Sequence, residues 1–160
     1  MAKPNWLEEL AENWFRMREY ITQLHVRVTE FGRRELDLLA FNDEEFLMID
    51  LQTYLGERGS MKAEATSLIK RFKIYDKLLT IPPYKGVSKG KKIRRLFIAG
   101  GNVTFRNLIK NSNIEFMPME GFLDKVLQEI RKHAERKRWP FSPKDISRLL
   151  WELIAYEFIK

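Results

Sequence analysis

Two aspartates sit where aspartate is expensive. Asp37 lies inside the apolar run Leu36-Asp37-Leu38-Leu39-Ala40, and Asp50 ends the run Phe46-Leu47-Met48-Ile49. A carboxylate within a buried strand is strongly unfavourable unless it is paired or binds a cation. Between the two runs, Asn42-Asp43-Glu44-Glu45 has the composition of a polar hairpin turn. A hairpin centred between residues 43 and 44 sets Asp37 opposite Asp50, with Cβ atoms roughly 5 Å apart. Like charges so placed repel, and a divalent cation relieves the repulsion. Hard oxygen ligands without Cys or His favour Mg²⁺ or Mn²⁺. Gln52 has the strand parity of Asp50 and points to the same side. The alternative is that neighbouring arginines such as Arg33 or Arg34 neutralise both carboxylates.

The elements that must position these residues follow from periodicity. Trp6 to Arg18 reads as a helix with Leu7, Leu10, Ala11, Trp14 and Met17 on its buried face. Tyr20 to Val28 alternates as a strand, residues 29–34 form a turn, and Glu35 to Phe41 is a second strand. Phe46 to Leu51 is almost continuously apolar, as suits a central strand covered on both faces. After a loop over Gly56 to Ser60, a second helix spans Lys62 to Leu79, with Ala65, Leu68, Ile69, Phe72, Tyr75 and Leu79 inward; Pro82-Pro83 stops it. A basic loop over Lys85 to Lys92 leads to a fourth strand, Arg94 to Ala99. A short helix over Val103 to Asn111 precedes a fifth strand, Asn113 to Met117. Gly121 to Lys137 is helical, and Ser142-Pro143 opens a last helix. The order α-β-β-β-α-β-α-β-α-α predicts one α/β domain over 1–160. Its mixed five-stranded sheet starts as an antiparallel meander, continues through crossovers, and carries helices on both sides.

Asp37 followed by Asp50-Leu51-Gln52, after a glutamate-bearing helix and within α-β-β-β-α-β, resembles the PD-(D/E)xK nuclease superfamily, to which restriction endonucleases and archaeal Holliday-junction resolvases belong. The stretch GRRELDLLAFN…FLMIDLQTY is similar to that core. The likeness covers about residues 6–118, with C-terminal helices over about 120–160. It implies a restriction endonuclease-like fold and metal-dependent hydrolysis of phosphodiester bonds in DNA. Asp37, Asp50 and the Leu51 carbonyl would hold Mg²⁺ or Mn²⁺. Asp50 replaces the commoner glutamate, and Gln52 stands where lysine is usual. Glutamine cannot exchange a proton, but it can orient an attacking water. The first helix should bring a glutamate to the metal from Glu8, Glu9 and Glu12. Glu8 and Glu12 share a face and are preferred. The rival is a nuclease-fold protein that binds nucleic acid or a protein partner without cutting.

Composition narrows the remaining chemistry. There is no cysteine, which excludes disulfides, thiol catalysis and cysteine-ligated zinc or iron–sulfur centres. The two histidines, His25 and His133, lack partners at ligand spacing and read as structural or solvated residues. Lys and Arg number 29 against 22 Asp and Glu, a formal charge of +7, and the isoelectric point is about 9.6. Such a balance suits a polyanion partner. Lys85, Lys89, Lys91, Lys92, Arg94 and Arg95 fall in one short stretch with Gly86 and Gly90 and no acid. That loop is expected beside the site, holding DNA phosphates together with Arg33 and Arg34. Arg131, Lys132, Arg136, Lys137 and Arg138 form a second basic cluster. Gly100-Gly101-Asn102 lacks the spacing of a dinucleotide motif. The four tryptophans read as core or interface residues. The beginning of the chain has no signal-peptide pattern and no run long enough to span a membrane, so a cytoplasmic location with DNA as partner is expected. Dense charge without cysteine also fits a thermophile, and pairing of two copies into a homodimer is left open.

Overall fold

Residues 5–28, 34–53, 60–100 and 105–136 are described by the computed structural model. Within them, α1 (Trp6–Met17), β1 (Ile21–Arg27), β2 (Glu35–Phe41) and β3 (Glu45–Gln52) are followed by α2 (Met61–Tyr75), a 3-10 turn (Asp76–Thr80) and α3 (Tyr84–Ser88). Then come β4 (Lys92–Ala99), α4 (Phe105–Leu108), β5 (Ile114–Pro118) and α5 (Met119–Glu135). The expected final helix from Ser142, Arg33, the loop over 56–59, and Lys137, Arg138, Trp139 and Trp151 lie outside the described residues.

The five strands lie in the order β1-β2-β3-β4-β5. β1, β2 and β3 pair antiparallel, whereas β3, β4 and β5 pair parallel. This is the predicted meander followed by crossovers. The β2–β3 hairpin has the predicted register, with Phe41 opposite Phe46 and Leu38 opposite Ile49. Asn42 makes the turn: its Oδ1 accepts the amides of Glu44 and Glu45 at 2.9 and 2.8 Å.

As the central strand, β3 is buried on both faces. Phe46 and Met48 pack with Ala65, Leu68 and Phe72 of α2 and Phe105 of α4. Leu47 and Ile49 pack with Leu10 and Trp14 of α1 and Phe122 and Val126 of α5. The five residues predicted for the buried face of α1 are all buried, and Phe15 joins them; Trp6, expected in a core or interface, is 40% exposed.

Three expectations are corrected. The second helix ends at Tyr75 and tightens into the 3-10 turn, because Pro82 and the residue before it cannot continue an α-helix. The basic stretch is not a loop throughout: residues 84–88 are helical and Lys92 and Ile93 belong to β4. Gly90 makes the bend between them at φ 77°, a region glycine enters without strain. In the expected helix over 103–111, helix is present at Phe105–Leu108 among the described residues, and α5 begins directly after β5.

Candidate functional site

The β2–β3 ladder stops at Leu38–Ile49, one rung short of Asp37 and Asp50. Where the next backbone bond would stand, Asp37 Oδ2 accepts the Leu51 N–H at 2.8 Å. The Asp37 and Asp50 side chains share a hydrogen bond. Burial pushes the Asp37 carboxyl up to about 8; the hydrogen bond to Asp50 and the charges of Asp50 and Glu8 push the same way, against the Leu51 amide. Asp50 is itself buried. Near neutral pH the Asp37 carboxyl therefore keeps its proton. This is the like-charge conflict foreseen for these residues.

A second irregularity shapes the same place. The β1–β2 ladder pairs Leu24 with Leu38 and Val26 with Leu36 but omits the rung of His25 and Asp37. His25 takes a left-handed φ of 52°, uncommon for a residue with a side chain. Leu24 and Leu38 pack toward α1 while Val26 and Leu36 pack toward α2. Both strands therefore change face at this rung, with the register unchanged across it. The His25 side chain, 7% exposed, places Nε2 2.9 Å from Glu8 Oε2.

The position of Glu8 is set by its own helix. Asn5 and Glu8 form a capping box: Asn5 Oδ1 accepts the Glu8 amide and Glu8 Oε2 accepts the Asn5 amide, both at 2.9 Å. Of the two preferred glutamates, Glu8 reaches the surroundings of Asp37. Glu12 points elsewhere, its Oε2 lying 3.5 Å from Thr22 Oγ1. His25, expected to lack partners, is instead tied to Glu8. Nothing in linear spacing signals this, because the partner lies on α1.

On the α2 side, Arg71 Nε donates to Asp50 Oδ2 at 2.9 Å, and Arg71 Nη1 to Ser67 Oγ at 3.3 Å. An arginine does pair with one aspartate, and among the described residues it is Arg71; Arg34 is exposed, and Arg33 lies outside the described residues. Ser67, Arg71 and Tyr75 share one face of α2 at four-residue intervals. The Tyr75 hydroxyl is pushed up by burial and by the charges of Asp50 and Asp37. Gln52, Glu64, Ser67, Leu68, Arg71, Phe97 and Phe105 line a cleft of about 190 Å³. Gly100 fixes the end of β3 there. Its amide donates to the Gln52 carbonyl at 3.2 Å, and a Cβ at Gly100 would overlap the Thr53 carbonyl.

Among the described residues, no three of His, Cys, Asp and Glu gather in a group that could hold a metal ion. The donors that converge are two carboxyl groups and backbone. A strand residue directs its N–H and C=O to the same neighbour. The Leu51 amide faces Asp37 and the Gln52 carbonyl faces Gly100, so the Leu51 carbonyl lies on the Asp37 side. One or two carboxylates, a carbonyl and water form a donor set that fits Mg²⁺.

The basic stretch is placed differently from expectation. In the parallel β3–β4 register, Lys92 lies opposite Glu45 and Phe97 opposite Asp50. Five residues of strand, roughly 16 Å, thus separate Lys92 from the level of Asp50. The crossover through α2 causes this, because a parallel strand must begin where its neighbour begins. Lys85, Lys89 and Lys92 are exposed, and Lys91 Nζ sits 5.0 Å over the Phe41 ring. Arg94 is held by Glu115 at 2.8 and 2.9 Å and by Glu45 at 3.1 and 3.2 Å, and Arg95 by Asp76 at 2.8 Å. Glu35 lies 3.8 Å from Arg27 on the outer face. In the second cluster, Lys132 lies 3.8 Å from Glu129.

No protein-family model matches the chain, and no curated protein matches it. Among the described residues, no helix is long and apolar enough to cross a membrane. Among solved structures, the chain is similar to the small subunit of the heterodimeric restriction endonuclease R.BspD6I, with 18% identity and a TM-score of 0.47, over 96% of this chain and 81% of that one.

Proposed function

We propose that the chain is a metal-dependent endonuclease that hydrolyses phosphodiester bonds in DNA. The observation that carries this reading is the meeting of Asp37 and Asp50 at the open end of the β2–β3 hairpin, with the Leu51 backbone between them. The order α-β-β-β-α-β around them is the one the PD-(D/E)xK resemblance implies.

In this reading Asp37, Asp50 and the Leu51 carbonyl would hold Mg²⁺ or Mn²⁺. Such an ion supplies a Lewis acid for the phosphodiester and for water. Asp37 would give up its proton for the pair to act as ligands. Glu8, fixed by its capping box and by His25, adds negative charge beside them. Gln52 faces the cleft and orients water through its amide. Exposed Lys85, Lys89 and Lys92 hold the DNA backbone at the other end of the sheet.

A second reading, a nuclease-fold protein that binds nucleic acid or a partner without cutting, draws on two observations. Gln52 brings no charge, and Arg71 already neutralises Asp50. Nicking of supercoiled plasmid separates the two. Cleavage with Mg²⁺ or Mn²⁺ that EDTA abolishes, and that Asp50→Asn lacks, supports the enzyme; plasmid binding with no nicking under either metal supports the second reading.

A further inference from the structure

Arg71 is ion-paired with the carboxylate that the proposed reading assigns to a metal. Its Nε lies 2.9 Å from Asp50 Oδ2, and its side chain is 22% exposed. Two full positive charges and one more cannot share a single carboxylate at contact distance without strong repulsion. A divalent ion at Asp50 therefore weakens the hold of this carboxylate on the guanidinium, and a half-buried guanidinium favours another acceptor.

The cleft beside it holds a place of the right chemistry. Glu64 and Arg71 both line the cleft, together with Gln52 and Ser67. Glu64 Oε2 is buried and has no hydrogen-bond partner among the described residues. A buried carboxylate oxygen without a donor is a rare and unfavourable feature. The two residues are two helical turns apart on α2, about 10.5 Å along the axis. Both side chains are long and line one cleft.

We infer that Arg71 competes with a divalent cation for Asp50, and that Glu64 is the second seat of its guanidinium. The inference rests on the metal reading above and adds residues to it. Before a cation binds, Arg71 balances Asp50 and Glu64 lacks a donor. With a cation on Asp50, Arg71 turns to Glu64, and both carboxylates are satisfied. Glu64 thus acts on the metal through Arg71, as a positioning residue.

The two residues should then shift cation affinity in opposite directions, which is read without DNA or catalysis. The measurement is Mn²⁺ binding to the whole chain, followed by the electron paramagnetic resonance of free Mn²⁺. Arg71→Gln should bind Mn²⁺ about tenfold more tightly than wild type, since the internal competitor is gone. Glu64→Gln should bind it more weakly by several-fold, and should have no further effect in the Arg71→Gln background. If Arg71→Gln does not fold, Arg71→Lys replaces it, and a several-fold tightening is expected because the Nε hydrogen bond is removed. Unchanged affinity in both single variants, or a Glu64→Gln effect that persists without Arg71, overturns the inference while leaving the metal reading in place. Wild-type binding no stronger than that of Asp50→Asn overturns the metal reading itself, and the inference with it.

Discussion

The Asp37 carboxyl stands in for a rung of the sheet, receiving the Leu51 N–H at 2.8 Å just beyond the last backbone pair of β2 and β3. The residue therefore has a structural duty separable from any chemistry. Asp37→Asn keeps an oxygen for the Leu51 amide, and at about pH 4, where the wild-type carboxyl is protonated in the folded chain and largely so in the unfolded one, its stability should stay within about 1 kcal/mol of wild type. Asp37→Ala leaves that amide unpaired and at the same pH should lose about 1–3 kcal/mol. Both should lack metal-dependent cleavage. Urea denaturation and plasmid nicking on the same preparations check this, and equal stabilities of the two variants would sink the structural half.

Stability should fall as pH rises from about 4 to about 8. An unfolded Asp37 loses its proton near its ordinary value of 3.8, whereas the folded residue keeps it up to about 8. Across that window the folded state binds more protons, so raising the pH favours unfolding, with a slope of at most about 1.4 kcal/mol per pH unit from this group. Above the window the slope from Asp37 vanishes. Denaturation midpoints at stepped pH, without metal, should show the slope in wild type and a flatter profile in Asp37→Asn. Metal binding must expel the same proton, so Mn²⁺ affinity should climb as pH approaches 8.

Position 52 tests what the site asks of a side chain that carries no charge. Gln52→Ala should lower single-turnover cleavage by at least about tenfold, because the group that orients water is lost, while the fold persists. Gln52→Lys should match or exceed wild type, since lysine is the usual residue there in the PD-(D/E)xK nucleases that the sequence resembles. An alanine variant as fast as wild type would remove Gln52 from the mechanism.

The lysines at the far end of the sheet should affect grip rather than turnover. Replacing Lys89, Lys91 and Lys92 by alanine should weaken duplex binding for all sequences alike. It should also flatten log K against log salt by about one unit for each phosphate no longer neutralised. With DNA saturating, the cleavage rate should hold, because these residues lie roughly 16 Å along the strands from Asp50. Binding titrations at several salt concentrations, paired with single-turnover rates, check both parts. Unchanged slope and affinity would make the stretch an ordinary solvated surface.

The β2–β3 hairpin was readable from residues because two local signals agree: an Asn-Asp-Glu turn and apolar runs whose parity admits one register. The same locality exposed Asp37 and Asp50 as misfits in their strands. Glu8 was readable only to within a choice, since helical spacing gives a face and the capping box with Asn5 decides which glutamate is held. His25 and Arg71 were not legible. His25 departs from the strand through a backbone angle that no composition announces, and Arg71 is one of many cations on an amphipathic helix until packing brings it against β3. The basic stretch was visible as chemistry but misplaced, because its location depends on the direction of a crossover.

The parallel return from β3 through α2 to β4 divides the site by how far along the chain its parts must be gathered. Glu8, His25, Asp37 and Asp50 all belong to α1 and the meander, where short connections make encounter entropically cheap. Arg71 belongs to the connection that follows, 21 residues beyond Asp50. The acidic residues and their resident counter-ion thus reach Asp50 from opposite directions along the chain. Refolding in Mn²⁺ and adding Mn²⁺ after refolding approach the same final state from opposite sides of the competition between Arg71 and the cation.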